Sequence, residues 1–226
     1  MKKISKRLQS IISKITKKDN VIIDVGCDHC LTAINALKYA NTKFAYNVDI
    51  NKKPLDEGVN NLKKENLIEK TCNVVNDGLN KLEVKQNVDY CIISGLGGNT
   101  IVNILSNSTV ENINEYILVP NDHPEVVRNY IKQNELKISY EEMIYESGFF
   151  YSLIQISKTG KKVKTYNDIH FGPINMKEKS ETYVLYLTNL LKKTEYLYEH
   201  SKKSEYGELC SAIRLQLNNL SKVRKP

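Results

Sequence analysis

Cys27 and Cys30, in the stretch Asp24-Val25-Gly26-Cys27-Asp28-His29-Cys30, are the first residues of this chain whose type and spacing could do chemistry. A C-x-x-C between a strand and a helix suits a thioredoxin-like redox site, and it is also half of a zinc site. Either reading needs partners. No second C-x-x-C follows, and His123, His170 and His200 are scattered rather than spaced as metal ligands. The same stretch offers another chemistry if Asp24 and Gly26 are the working residues. Gly26 lets the backbone turn tightly and approach a ligand with no side chain in the way. A dinucleotide fingerprint would need G-x-G-x-x-G, and Asp28 and Cys30 stand where such a turn keeps glycine, which weakens NAD and phosphate readings.

The surrounding elements must position that turn. Val21–Val25 reads as a strand, Thr32–Ala40 as a helix, Phe44–Ile50 as a second strand, and Leu55, Val59 and Leu62 mark a following helix. Cys72–Val75, Val88–Ser94 and Tyr116–Val119 read as three further strands, each followed by a helical or turn segment. Such alternation predicts an α/β fold, a parallel sheet with helices on both faces. Two later strand-like runs joined around Glu146-Ser147-Gly148 predict an antiparallel hairpin closing the sheet.

In an open α/β sheet, ligands bind at the carboxyl ends of the strands, beside the point where strand order reverses. Asp24 and Gly26 sit at such an end. Asp49 and Ile50 end the second strand, where a ribose diol needs an acceptor. Asn76-Asp77-Gly78 ends the third with a short polar side chain suited to an adenine edge. Gly95-Leu96-Gly97-Gly98 ends the fourth and leaves space for the reactive end of a ligand. Taken singly, these are ordinary turn residues. At four successive strand ends they describe a nucleoside without phosphates, S-adenosylmethionine.

At 226 residues and 41% hydrophobic, the chain can bury a full core. No apolar run reaches membrane-spanning length, and the N-terminus has no continuous apolar segment of the signal-peptide kind, so a soluble, cytoplasmic protein with no membrane partner is expected. Five cysteines, an odd number, suit a reducing compartment. The formal charge of +7 is unevenly spread. Residues 1–19 hold seven basic and one acidic residue, and residues 176–226 hold ten basic and six acidic, which leaves the middle mildly acidic. Basic ends around an acidic centre suit a small-ligand centre whose ends grip phosphates, although Lys-rich ends also serve as plain solvated faces.

The expected organisation is a cofactor-binding domain over residues 1–160, with an amphipathic N-terminal helix over 1–18 marked by Ile4, Leu8, Ile11, Ile12 and Ile15. A linker over 161–175 follows. Residues 176–226 then form a helical domain: Tyr183, Leu187, Leu190, Thr194 and Leu197, and Leu209, Ile213, Gln216 and Leu220, fall at helical spacing. These two helices are expected to pair antiparallel across a turn near Tyr206-Gly207.

The pieces Ser5–Gln9 (SKRLQ), Asp24–His29 (DVGCDH), Asn76–Leu79 (NDGL), Gly95–Gly98 (GLGG), Pro120-Asn121, and Gly172–Lys179, which opens Gly-Pro and closes Lys-Glu-Lys, run in order along the chain. In this combination the sequence resembles the TrmK family of bacterial tRNA adenine-N1 methyltransferases, which modify adenine 22. The resemblance implies a Rossmann-like class I methyltransferase sheet with a C-terminal antiparallel, coiled-coil-like helical domain. It also implies transfer of methyl from S-adenosylmethionine to N1 of an adenine in tRNA. One departure stands out. The family usually follows Asp-His with Ala-Tyr-Leu-Pro, where this chain has Cys30-Leu31-Thr32-Ala33, so the tyrosine is absent.

Methylation at N1 yields a cationic base. Asp28 is the expected carboxylate near that charge and Asn121 the hydrogen-bond partner of the target base, with His29 orienting the loop. Asp24, Gly26, Asp49, Ile50, Asn76, Asp77, Gly78, Gly95 and Leu96 are expected around the cofactor. Lys6, Arg7, Lys192 and Lys193 are expected on tRNA, with Arg7 an alternative contact for the cofactor carboxylate. No metal is expected, and a monomer or weak dimer is. The competing readings are a catalytically degenerate RNA-binding protein of the same fold and the C-x-x-C redox or zinc protein.

Overall fold

The computed structural model describes residues 4–221, and the side chains of residues 4–219. Lys2, Lys3, Lys222, Arg224 and Lys225 of the basic ends, and the Leu220 side chain, lie outside what is described. Helix α1 (Lys6–Ser13) begins at Ser5, whose hydroxyl accepts the Leu8 amide at 3.1 Å. Then come β1 (Asn20–Val25), α2 (Leu31–Tyr39), β2 (Thr42–Asp49), α3 (Lys52–Lys64), β3 (Thr71–Val75), β4 (Val88–Ser94), α4 (Gly98–Ser106), β5 (Ile113–Val119) and α5 (Pro124–Gln133). All six residues of β1 are buried, as a central strand covered on both faces requires. One core layer joins Ile11 and Ile15 to α2, Leu55 and Leu62, and the other joins α4 to Val127 and Ile131 of α5.

β6 (Lys137–Glu146) and β7 (Phe149–Ser157) form the expected hairpin, paired from Glu146 with Phe149 to Lys137 with Ser157. Ser147 and Gly148 both have positive φ, 51° and 87°, the turn geometry that matches strand twist in a two-residue hairpin. The sheet order is β3-β2-β1-β4-β5-β7-β6-β8, with β8 (Lys161–Lys162) on the edge. β1 to β5 are mutually parallel and β7 is antiparallel to both its neighbours. This is the expected Rossmann-like sheet, and its strand order reverses between β1 and β4.

Residues 161–175, expected as a linker, carry β8, α6 (Tyr166–Phe171) and the first residue of α7 (Asn175–Glu178). Buried charge fastens this stretch to the sheet. Arg128 of α5 donates to Glu141 Oε1 at 2.7 Å, to Ser152 Oγ at 2.9 Å and to the Ile169 carbonyl at 3.2 Å. Glu141 Oε2 accepts the Ile174 amide at 2.9 Å. Removing either partner would strand a buried charge, at a cost of about 3–5 kcal/mol.

Helices α8 (Glu181–Ser201) and α9 (Ser204–Ser221) pack against each other, and α8 packs onto β6. Their apolar seam gathers Tyr183, Leu187 and Ile213 with Met143 of β6 and Phe171 of α6. The chain reverses at Lys202, which is left-handed at φ 55°, and not at Tyr206-Gly207, which lies inside α9. Gly207 is a packing residue. A Cβ there would stand 3.1 Å from the Tyr198 ring, so its glycine lets the two helices approach.

Candidate active site

A cleft of about 580 Å³ opens at the carboxyl edge of the sheet, at the reversal point between β1 and β4. Its lining includes Asp24, Gly26 and Asp28 after β1, and Asp49 and Ile50 after β2. Asn76, Asp77 and Gly78 follow β3, Gly95 and Leu96 follow β4, and Asn121 follows β5. Every residue assigned above to cofactor or catalysis therefore meets in one place. The loops are pinned to one another through the backbone. The Gly26 amide donates to Val48 O at 2.8 Å, Asn76 to Asp49 O at 2.9 Å, Gly95 to Val119 O at 3.3 Å and Asn121 to Leu96 O at 2.9 Å.

Gly26 turns at φ +68°, a conformation that demands glycine, and a Cβ on it would sit 3.2 Å from Leu96 Cδ1 and crowd that side chain. Asp24 lies beneath this turn. Burial pushes its carboxyl up to about 7, against the Thr32 hydroxyl and Ala33 amide that donate to it and favour the charged form. Its Oδ2 is buried with no hydrogen-bond partner. A buried acceptor of that kind beside a cleft fits a ligand's cationic donor. Sequence reasoning misses Thr32; its position in the first turn of α2 is the only signal it carries.

Asp28 follows the turn at φ 28°, with a side chain 68% exposed and Oδ1 3.5 Å from His29 Nε2. His29 Nδ1 in turn lies 3.3 Å from Glu57 of α3, which holds the ring over the loop. Asp28 is not a helix cap. Cys30 occupies the cap of α2 and makes no side-chain capping bond, while the Ala33 amide bonds Asp24.

The cysteine pair is packed into the core. Cys27 and Cys30 are free, buried, and 3.8 Å apart at sulfur. The contact with Cys30, then burial, push the Cys27 thiol up, the reverse of a reactive thiolate. Among the described residues there is no group of three or more His, Cys, Asp or Glu side chains able to hold a metal. Cys30 fills the space beside Gly58, where a Cβ would come within 2.4 Å of its sulfur.

Asp49 is nearly buried. Its Oδ1 accepts the Asn51 amide at 2.8 Å and its Oδ2 the Asp28 amide at 3.3 Å, so the carboxylate both shapes the β1 turn and faces the cleft. Asn76 donates to Gly78 O at 3.0 Å and Asn80 O at 2.9 Å, which commits its amide to the loop and leaves Asp77 as the free polar group at this strand end. Ile50, 63% exposed, adds an apolar wall, and Leu31 lines the cleft at the position where the tyrosine is missing.

The N-terminal helix is a wall of the site, a role its amphipathic pattern did not reveal. Ser5, Arg7, Leu8 and Ile11 all line the cleft. Arg7 Nη1 donates to Asn121 Oδ1 at 3.2 Å, its guanidinium lies 4.8 Å over the Tyr151 ring, and Asn121 Nδ2 donates to Gly95 O at 2.6 Å. Lys6, Lys192 and Lys193 are exposed and outside the cleft. Lys193 is close enough to His123, just before α5, for its charge to act on that ring. There Glu125 bonds His123 and raises its pKa, and Lys193 acts in the opposite sense.

The sequence profile of the tRNA (adenine(22)-N(1))-methyltransferase family, TrmK, matches residues 22–220. The chain belongs to this family. M. capricolum TrmK, solved with S-adenosyl-homocysteine, superposes with a TM-score of 0.85 at 30% identity, over 95% of this chain and 98% of that one. The Streptococcus pneumoniae protein Sp1610, solved with S-adenosyl-L-methionine, gives a TM-score of 0.87 at 27% identity, over 95% and 100% of the two chains. A Mycoplasma genitalium protein named "Putative tRNA methyltransferase MG248" is 30% identical over 184 residues, 79% of this chain and 81% of its own. As a TrmK-family protein the chain is an S-adenosylmethionine-dependent tRNA adenine-N1 methyltransferase. Among the described residues no helix is long and apolar enough to cross a membrane.

Proposed function

We propose that the cleft seats S-adenosylmethionine between the ends of β1, β2, β3 and β4 and presents adenine 22 of tRNA to it between Asp28 and Asn121. The free Oδ2 of Asp24 would accept from the ammonium of the methionine end, Asp49 from the ribose hydroxyls, and Asp77 from the adenine amino group. Gly26, Gly78 and Gly95 would let the backbone approach the ligand. Ile50 and Leu96 supply apolar contact, and Asn76 holds the β3 loop in shape. Bound there, S-adenosylmethionine supplies a methyl group on a positively charged sulfur.

N1 of adenine carries a free lone pair at neutral pH, so no side chain has to remove a proton before attack. The task left to the protein is alignment and charge. Arg7 is a donor only, so it holds Oδ1 of Asn121 toward itself and fixes the amide's orientation. The second lone pair of that oxygen can accept from the base's amino group. A reversed amide would donate to N1 and block it. The Asp28 carboxylate lies at the mouth and stabilises the positive charge that appears on the base as N1 is alkylated. N1 is on the pairing edge, so the adenine enters unpaired and flipped.

Lys6, Lys192 and Lys193 are the phosphate contacts in this reading, with α8 and α9 the arm that carries the tRNA. Arg7 serves Asn121 and the cleft. The observation that carries the proposal is the convergence of Asp24, Asp49, Asp77 and Asn121 on one cleft in a TrmK-family chain. The test is methylation of an unmodified tRNA transcript, with the product identified by mass spectrometry and mapped by the reverse-transcription block at N1-methyladenine. Modification at adenine 22 is expected, lost in a transcript that carries guanine in place of that adenine. No transfer would leave an RNA-binding protein without catalysis, and N6-methyladenine would overturn the base geometry.

A further inference from the structure

The β6–β7 hairpin tip stands on the same edge of the sheet as the cleft, because β7 is antiparallel to both β5 and β6. At that tip Phe149 is 66% exposed, more than any other phenylalanine or tyrosine among the described residues. Strand alternation puts it on a defined face. Tyr151, two residues on, lies under the Arg7 guanidinium of α1, so Phe149 projects from the same face, one step nearer the edge. Its cross-strand partner Glu146 accepts the Lys6 amide, which fastens the tip to the start of α1. Phe150, on the other face, packs instead on Tyr186 of α8.

An exposed ring at a rigid turn, next to an arginine stacked on a tyrosine, with Lys6 exposed alongside, has the composition of a surface for unpaired nucleotides. Bases stack on the ring and phosphates meet the cations. The carboxylate at the tip, Glu146, is committed to the Lys6 amide. Through Arg7 and Asn121 the surface runs directly into the cleft. We propose that Phe149 stacks on an unpaired nucleotide of the tRNA that neighbours the target adenine and holds the strand in register at the cleft mouth. This rests on the tRNA reading above and adds to it a positioning contact outside the cleft.

The experiment uses the full chain with Phe149→Ala, Phe149→Leu and Phe149→Trp. It measures KM for a tRNA transcript at saturating cofactor, cofactor Kd, melting temperature, and mass in solution. Phe149→Ala should raise the tRNA KM about tenfold, with cofactor Kd and melting temperature unchanged. Phe149→Trp should restore it and Phe149→Leu should not, since only an aromatic face stacks. An unchanged KM in Phe149→Ala, or rescue by Leu equal to that by Trp, overturns the proposal. So does dissociation of a dimer in Phe149→Ala, which would make the tip a contact between copies. Failure of the wild-type chain to methylate the transcript would instead count against the tRNA reading, and direct tRNA binding by Phe149→Ala would still report on the stacking contact.

Discussion

The cleft and the C-terminal helix pair are built on opposite plans. The cleft is held by backbone bonds between neighbouring strand ends, by turns that demand glycine, and by buried carboxylates. The helix pair rests on a thin seam around Tyr183, Leu187 and Ile213, while Leu185, Tyr196, Tyr198 and Leu215 remain exposed. A small ligand whose methyl must be aligned needs groups fixed before it arrives. A polyanion many times larger needs reach and positive charge, and tolerates change at any one contact. Substitutions in the cleft should therefore act as switches, and those on the helices as graded losses.

The largest effect is expected at Gly26. Gly26→Val forces a β-branched residue into φ +68° and into Leu96, and should weaken cofactor binding more than about a hundredfold while tRNA binding holds. Isothermal calorimetry and a tRNA filter-binding assay read the two. Asp24 sharpens the same contrast through pH. With its carboxyl raised to about 7, the free protein holds a proton there at pH 6 that a cationic ligand would have to displace. Cofactor affinity should rise with pH up to about 7 and level off above it, and Asp24→Asn should bind weakly and lose that rise. The linkage sign for stability is opposite. The fold binds this proton more tightly than the unfolded chain, so the Asp24 contribution to stability falls as pH rises from about 4 to about 7.

On the helices, Lys192→Ala with Lys193→Ala should weaken tRNA binding about tenfold and flatten its log-log salt dependence by about two, with cofactor Kd unchanged. Equal losses in both affinities would erase the division of labour. A smaller effect is expected behind the cleft. Gly58→Ala meets the Cys30 sulfur and should cost about 1–3 kcal/mol in denaturant unfolding. Adding Cys30→Ala should recover part of that, because backbone at His29 and Cys30 also crowds the site. Full activity in a Cys27→Ala, Cys30→Ala variant would complete the case that the pair only packs.

Strand ends were legible because each carries its own local signal: an Asp, Asn or Gly that turns the chain after a β-branched run. The hairpin was legible from Ser147-Gly148 for the same reason. What stayed hidden depends on long-range pairing. Arg7 and Asn121 each stand out by residue type, yet nothing in the sequence says that residues 114 positions apart share a hydrogen bond. The segment 161–175 looks like a polar linker because its order comes from Arg128 and Glu141, buried elsewhere. Gly207 reads as a helix breaker, whereas the chain reverses at Lys202, a residue type with no turn signal.

In the proposed reading the turn of chain after β1 does chemistry as well as hold a ligand, and Asp28 tests this most directly. Asp28→Asn keeps size and loop geometry, removes one charge, and leaves the start of α2 to Asp24. Single-turnover transfer to an unmodified tRNA transcript at saturating cofactor should slow by at least about tenfold, with tRNA Kd and melting temperature close to wild type. A near-native rate would contradict the account, removing Asp28 from catalysis and leaving alignment by Asn121 and Arg7 as the source of the acceleration.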